Sequence, residues 1–141
     1  MPSDSNDVNR ALLARLGGDA GLTTIVGANA VYMNLVPANM TKYVLITQRT
    51  HTDEPMQNAT AFEVFTFIVQ AIVQGSSATP AAQAAQRIFE LLHLQEMAIT
   101  GYALMLMKRI EHVNYPDRDE FSKDWQHRGG VYELWVQPTA A

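Results

Sequence analysis

Residues 61–73 read AFEVFTFIVQAIV, and the fold is decided there. β-Branched and aromatic residues dominate, so Ala59 to Val73 is expected to form one long strand. Alternation sends Phe62, Val64, Thr66, Ile68, Gln70 and Ile72 to one face. Phe65, Phe67, Val69, Ala71 and Val73 take the other. Both faces are apolar over much of the length, which predicts a central strand covered on both sides. With Glu63 and Gln70 inside it, the stretch is too short and too polar for a membrane helix.

Beyond it, Gly75-Ser76-Ser77 makes a turn, and Thr79 reads as an N-cap with Pro80 at the first helical position. The helix is expected to run to about His93, with Ala81, Ala84, Ala85, Ile88, Leu91 and Leu92 as its apolar stripe. Its early alanines allow a close approach to a sheet. Ala98 to Val113 (AITGYALMLMKRIEHV) reads as another long strand, with Tyr102, Leu104, Leu106 and Ile110 on one face. Met97, Met105 and Met107 are expected to fill core gaps. Asn114 to Arg128 (NYPDRDEFSKDWQHR) reads as a polar loop, and Gly129-Gly130 as a hinge into a last strand, Val131 to Gln137.

Before it, Lys42 to Thr50 (KYVLITQRT) is a strand, and His51 to Asn58 (HTDEPMQN) a polar loop containing Pro55. Ala30 to Met33 is a short extended piece that stops before Pro37. Asn6 to Leu16 reads as a helix with Val8, Leu12, Leu13 and Leu16 on one side, capped by Ser5 or Asp4 and stopped by Gly17-Gly18. Asp19 then caps a second short turn, Ala20 to Val26, ended by Gly27, and residues 1–5 are expected to be frayed. Strands and helices do not alternate as crossover units. The expected class is therefore α+β: a mostly antiparallel sheet with an N-terminal helix and one central helix packed on one face, all in a single domain over residues 1–141.

Hydrophobic residues make up 48% of the 141 and charged residues only 17%; the apolar excess can be buried inside one subunit or against others, and composition alone does not separate the two. There are no cysteines, which excludes disulfides, thiolate metal sites and cysteine nucleophiles. The net charge is -4 with no basic tract, which argues against non-specific binding to DNA phosphates. Met1 to Asn9 is polar and acidic, unlike a secretory leader.

Asp117, Arg118, Asp119, Glu120 and Asp124 form the richest polar cluster, but the glycine and bidentate glutamate of a calcium loop are missing. A solvated loop or a subunit contact is the expected role. His51, His93, His112 and His127 form no HxH or HExxH pair, and they read as separate surface or edge histidines. A zinc site made from them would need strand-to-strand convergence. No GxSxG elbow, SxxK pair or phosphate loop occurs, so no catalytic, cofactor-binding or metal residue is assigned. Trp125, in a polar loop, is the best candidate for a partner anchor, the alternative being a lid over the domain's own core. Arg49, Asp53 and Glu54, with Asp117, Arg118, Asp119 and Asp124, complete the candidate interface.

In order and spacing, these pieces resemble the tail completion or tail terminator proteins of long-tailed, siphovirus-like phages. The likeness runs through NRALLARLGGDAGLTTIVG (9–27), AVYMNLVP (30–37), KYVLITQRT (42–50), the strand 61–73 and AAQAAQRIFELL (81–92). A Tyr-x-Asp-x-Asp stretch, Tyr115 to Asp119, then precedes HRGGVYELWV (127–136). The resemblance implies a non-catalytic virion protein, assembled in the host cytoplasm, that forms a ring, usually a hexamer. Such a ring caps the last ring of the tail tube protein, stops its polymerisation and offers a surface to the head connector or neck protein. Gene transfer agents use similar parts. No cofactor and no membrane are implied, and genomic DNA passes the lumen without specific binding, which suits the acidic balance.

Two other readings remain open. One is a neck or head-completion protein. The other is a small α+β enzyme or ligand-binding domain with its site near His112, Asp117, Asp119 and His127.

Overall fold

A computed structural model describes residues 5–56 and 59–139. The element order is α1 (Ser5–Gly17), α2 (Ala20–Val26), β1 (Val31–Met33), β2 (Lys42–Met56), β3 (Ala59–Gln74), α3 (Thr79–Leu92), β4 (Tyr102–Arg118) and β5 (Asp124–Pro138). The strands form one five-stranded sheet in the order β1-β2-β3-β5-β4. Only β1 and β2 pair in parallel; the other pairs are antiparallel. The α+β class and the central place of β3 are as expected. Frayed ends and the caps Asp4 and Ser5 cannot be compared: residues 1–4 lie outside the described residues, as does the Ser5 side chain.

The N-terminal hook forms as its sequence dictates. Val8, Leu12 and Leu16 of α1 are buried, and Leu13 packs partly against the same core. The Asp19 carboxylate accepts from Leu22 N at 2.8 Å and caps α2, which Gly27 ends at φ 102°. β1 is short because Asn29 and Asn34 bracket it in the left-handed region, at φ 57° and 65°, which asparagine tolerates.

Register divides the sheet into two faces. Val44 and Ile46, Phe65 to Ala71 at odd positions, Met107, and Tyr132, Leu134 and Val136 share one face and are buried. They form a single core with α1, α2 and α3, so the helices cover this helical face. The α3 stripe Ala81, Ala84, Ile88, Leu91 and Leu92 is buried there, with Ala85 at its margin. Arg109 stands beside it, its guanidinium 4.0 Å from the Phe89 ring centroid and its backbone N donating to His93 Nδ1 at 3.1 Å.

Several expectations need correction. The polar loop 51–58 is strand as far as Met56, and Gln57 and Asn58 lie outside the described residues. The polar loop 114–128 is mostly strand too, because β4 runs to Arg118 and β5 starts at Asp124. Residues 52–55 and 114–118 of these hairpin arms are exposed, where polar residues and proline are tolerated and little burial imposes alternation. Ala98 to Gly101 lie outside β4, in a turn with Gly101 at φ 81°. Bulges at Leu104/Leu106 and Arg109/Glu111 break the expected face of β4. Tyr102 stays buried, but Ile110 and Met105 are exposed; of the three methionines, Met107 is buried in the core and Met97 packs at its edge.

The α3 N-cap is Ala78, not Thr79, with no side-chain cap bond; Thr79 already belongs to the helix. Gly129-Gly130 is no hinge but the middle of β5, between β3 and β4. A Cβ on Gly129 would collide with the Val69 carbonyl oxygen, so only glycine allows this approach. The expected two-sided cover of β3 is one-sided within this chain: among the described residues, no helix packs on its second face.

Candidate functional site

The second, open face is built from residues that strand register puts side by side. β3 contributes Phe62, Val64, Ile68 and Ile72, flanked by Leu45 from β2 and Val131 and Trp135 from β5. Rings lie along it. Phe62 stacks on Trp135 at 5.2 Å between centroids, with Lys108 Nζ 5.8 Å from the Trp135 ring. Tyr115 stacks on His127 at 4.3 Å. Tyr43 meets Tyr32 and Trp125 edge-on, each at 6.4 Å. Thr66, Ile72 and Val131 at the centre are buried, while most surrounding positions are half-exposed. Arg49 of β2 and Glu111 of β4 approach to 3.9 Å although β3 and β5 lie between their strands, so both side chains lie along the sheet surface.

The edges of the sheet are poor places for a partner strand. β4 carries two bulges, Lys108, Glu111 and Pro116, and the free part of β2 carries a bulge, Arg49, Asp53, Glu54 and Pro55. Bulges, charges and proline block edge-to-edge pairing. The broad open face, aromatic and aliphatic with charged groups crossing it, is therefore the better candidate for contact.

The candidate interface residues fall into separate groups. Asp53 pairs with Glu63 near one end of β3, while Trp125 pairs with Gln74 at the other. At the rise of a strand the two ends are roughly 35 Å apart. At the first end, Asp53 and Glu54 sit on the β2–β3 arm. At the second, Asp117, Arg118, Asp119, Asp124 and Trp125 surround the β4–β5 turn. Arg49 lies between them, spanning the sheet.

The acidic turn is organised by its own atoms. Asp119 accepts from Phe121 N at 2.8 Å, Lys123 N at 3.0 Å and Trp125 Nε1 at 2.8 Å. The Trp125 indole, then the backbone donors, hold the Asp119 carboxyl below the usual carboxylate range. Asp124 accepts from Arg118 Nε at 2.9 Å, and Asp117 from the Arg118 backbone N at 2.8 Å. Asp117, Arg118 and Asp124 line an open hollow of about 550 Å³ with Ser76, Pro116 and Gln126. Trp125 is half-buried, tied to Asp119 and set against Tyr43, so it forms part of the open face's rim.

Of the residues proposed for a small catalytic site, Asp117 and His127 come within 3.9 Å of each other, but His112 lies on the opposite face of the sheet. His112 pairs with Gly130 on the helical face, and His127 pairs with Ile72 on the open face. Burial pushes the His127 imidazole down, opposed by Asp117 at 3.9 Å. The four histidines lie on different elements, and two have partners the sequence did not signal: His93 accepts a backbone bond and His51 contacts a buried carboxylate. His51 Nε2 lies 2.6 Å from Glu63 Oε1 on the β2–β3 arm. Sequence reading assigned Glu63 no role, because a lone glutamate in an apolar strand gives no signal of its partner.

Another unanticipated contact joins the helices. Arg87 of α3 donates to both oxygens of Asp19, Nε at 2.8 Å and Nη2 at 2.7 Å. With Arg87 as the main cause, the Asp19 carboxyl is lowered from 3.8 to about 2.

This geometry defines an α+β protein with one sheet face sealed by helices and the other offering aromatic rings for contact. No known family description matches the chain, and no curated protein matches it. Its fold is shared with solved structures. A chain from the virion of a native gene transfer agent (GTA) particle superposes with TM-score 0.77 at 19% identity, covering 96% of this chain and 98% of that one. A second solved chain gives TM-score 0.64 at 14% identity, covering 99% of this chain and 100% of its own. Among the described residues, no helix is long and apolar enough to cross a membrane.

Proposed function

We propose that the protein is a non-catalytic structural component of a phage-like virion, and that it closes into a homo-oligomeric ring, a hexamer in this reading, at the head-proximal end of the tail tube. The observation that carries this reading is the aromatic open face, which no helix of the described chain covers. Tyrosine and tryptophan rings on an apolar bed favour protein contacts, since they exclude water at low entropy cost. The nearly end-to-end fold likeness to a chain of a gene transfer agent virion supports the same assignment.

A ring needs one patch to meet a different patch on the neighbour, with a rotation that closes. The open face supplies one patch, and the neighbour's exposed helices or arms the other. The two arms project from opposite ends of the sheet. In this reading, one arm contacts the tube protein and the other the head connector. The ring stops tube growth and lets DNA pass a lumen whose walls do not trap a polyanion, in keeping with the net charge of -4.

Native mass spectrometry of the purified protein, followed by imaging of particles, tests the assignment. A discrete closed oligomer at the tube's upper end is the expected result. A strictly monomeric protein at every concentration, together with tails of normal length and joining in its absence, overturns it. A position inside the neck moves it to a head-completion role.

A further inference from the structure

We propose that His51, Asp53 and Glu63 form a binding site for one divalent transition-metal ion, of which Zn²⁺ is the best match, on the arm made by β2 and β3. Their ligating atoms all lie within 4.8 Å of one another. Ligand atoms bound to a common Zn²⁺ at about 2.0–2.2 Å sit roughly 3–4 Å apart, so small side-chain rotations suffice to bring them together.

Strand geometry makes the cluster. Asp53 and Glu63 are direct partners across β2 and β3, and His51 opposes Phe65 two positions along on the same face. Like charges directly opposite each other destabilise a sheet. Here one of the two carboxylates is also fully buried, which is costly for a charge without compensation. The protein supplies only part of that compensation. His51 Nε2 meets Glu63 Oε1 at 2.6 Å, while Glu63 Oε2 is buried and has no hydrogen-bond partner among the described residues. A cation bound between the three groups relieves both the repulsion and the orphaned oxygen.

The donor set selects the ion. One imidazole nitrogen and two carboxylates suit Zn²⁺ or Mn²⁺, whereas Ca²⁺ and Mg²⁺ prefer all-oxygen shells. The His51 ring stacks on Phe65 at 3.9 Å between centroids, which limits its rotation. Asp53 is exposed and provides the entry path. Three protein ligands leave a fourth position for water or for a group from another chain. The bound ion fastens the outer part of the arm to the buried end of β3.

The test uses the full chain, stripped with EDTA, dialysed near pH 7 and titrated by calorimetry with ZnCl₂, MnCl₂ and CaCl₂ in turn. One equivalent of Zn²⁺ is expected to bind and raise the melting temperature, with Ca²⁺ much weaker. Asp53→Asn and His51→Ala are each expected to weaken Zn²⁺ binding at least ~10-fold. Asp53 is exposed, so Asp53→Asn should keep the wild-type circular dichroism spectrum and separates loss of a ligand from loss of fold. Absence of saturable Zn²⁺ binding overturns the site, as does binding that both variants leave unchanged. Calcium bound more tightly than zinc overturns the choice of ion. None of these readouts depends on oligomeric state, so the ring and the metal site stand or fall separately.

Discussion

At the residue scale, Asp19 holds two jobs at once. It caps α2 through Leu22 and binds Arg87 of α3 with both oxygens. Cap loss and a broken charge-assisted pair, discounted for the solvent reaching Arg87, put the cost of Asp19→Ala at about 2 kcal/mol. The carboxyl is lowered from 3.8 to about 2 in the folded state. Its contribution is therefore complete above the unfolded value and lost as pH falls through the folded one. Urea midpoints of wild type and Asp19→Asn should differ near neutrality and converge as pH drops from about 4 towards 2; a gap that stays constant would remove Asp19 from acid stability. Gly129 sets a second test. With a would-be Cβ driven into Val69 O, Gly129→Ala forces β3 and β5 apart. A loss of about 3 kcal/mol in chemical denaturation is expected, at the severe end for one added methyl.

At the element scale, the informative parts are the two hairpin arms. Their sequences, HTDEP and NYPDRDEFSKD, carry proline and dense charge, which read as loops. In the fold 51–55 and 114–118 are strand, with 119–123 as the turn between β4 and β5, because the partner strand supplies the backbone hydrogen bonds while polar side chains can face water. Residues 114–118 are all exposed, so no burial pattern was imprinted there to be read. By contrast, β3, the α3 stripe and the Asp19 cap were legible, since each faces a core or carries its own local hydrogen bond. The β4–β5 turn depends on Asp119, whose carboxylate gathers two backbone donors and the Trp125 indole. Asp119→Ala should free the indole and red-shift Trp125 emission, best seen in a Trp135→Phe background. An unchanged spectrum would mean that the turn holds Trp125 by packing on Tyr43 alone.

At the scale of the whole molecule, one sheet face is sealed and the other is paved with rings. The sealed face gives the domain its single core. The open face is where the proposed ring is sensitive. Ile68 is half-exposed in the middle of β3 on that side, so Ile68→Asp places a charge on the contact with little effect on the helical core. The variant is expected to stay folded by circular dichroism and shift to monomer in light scattering. An oligomer that persists unchanged would move the contact away from this face. The candidate interface was legible only as a list of residue types. That Trp125 and the Asp117–Asp124 cluster lie at one end of the sheet and Asp53 and Glu54 at the other could not be read there, because contact across strands depends on register.

The chain alone determined the kinds and order of its main elements, from strand alternation, helix stripe, capping aspartate and turn glycines. These signals are local: each residue's preference is set by neighbours a few positions away. Tertiary structure decided which face of β3 the helices cover, that two polar stretches pair as strands, and that Arg87 reaches Asp19. It also brought His51 and Asp53 to the buried Glu63. Those outcomes depend on which strands become neighbours and in what register, and an isolated stretch of sequence carries no record of the partner it will meet.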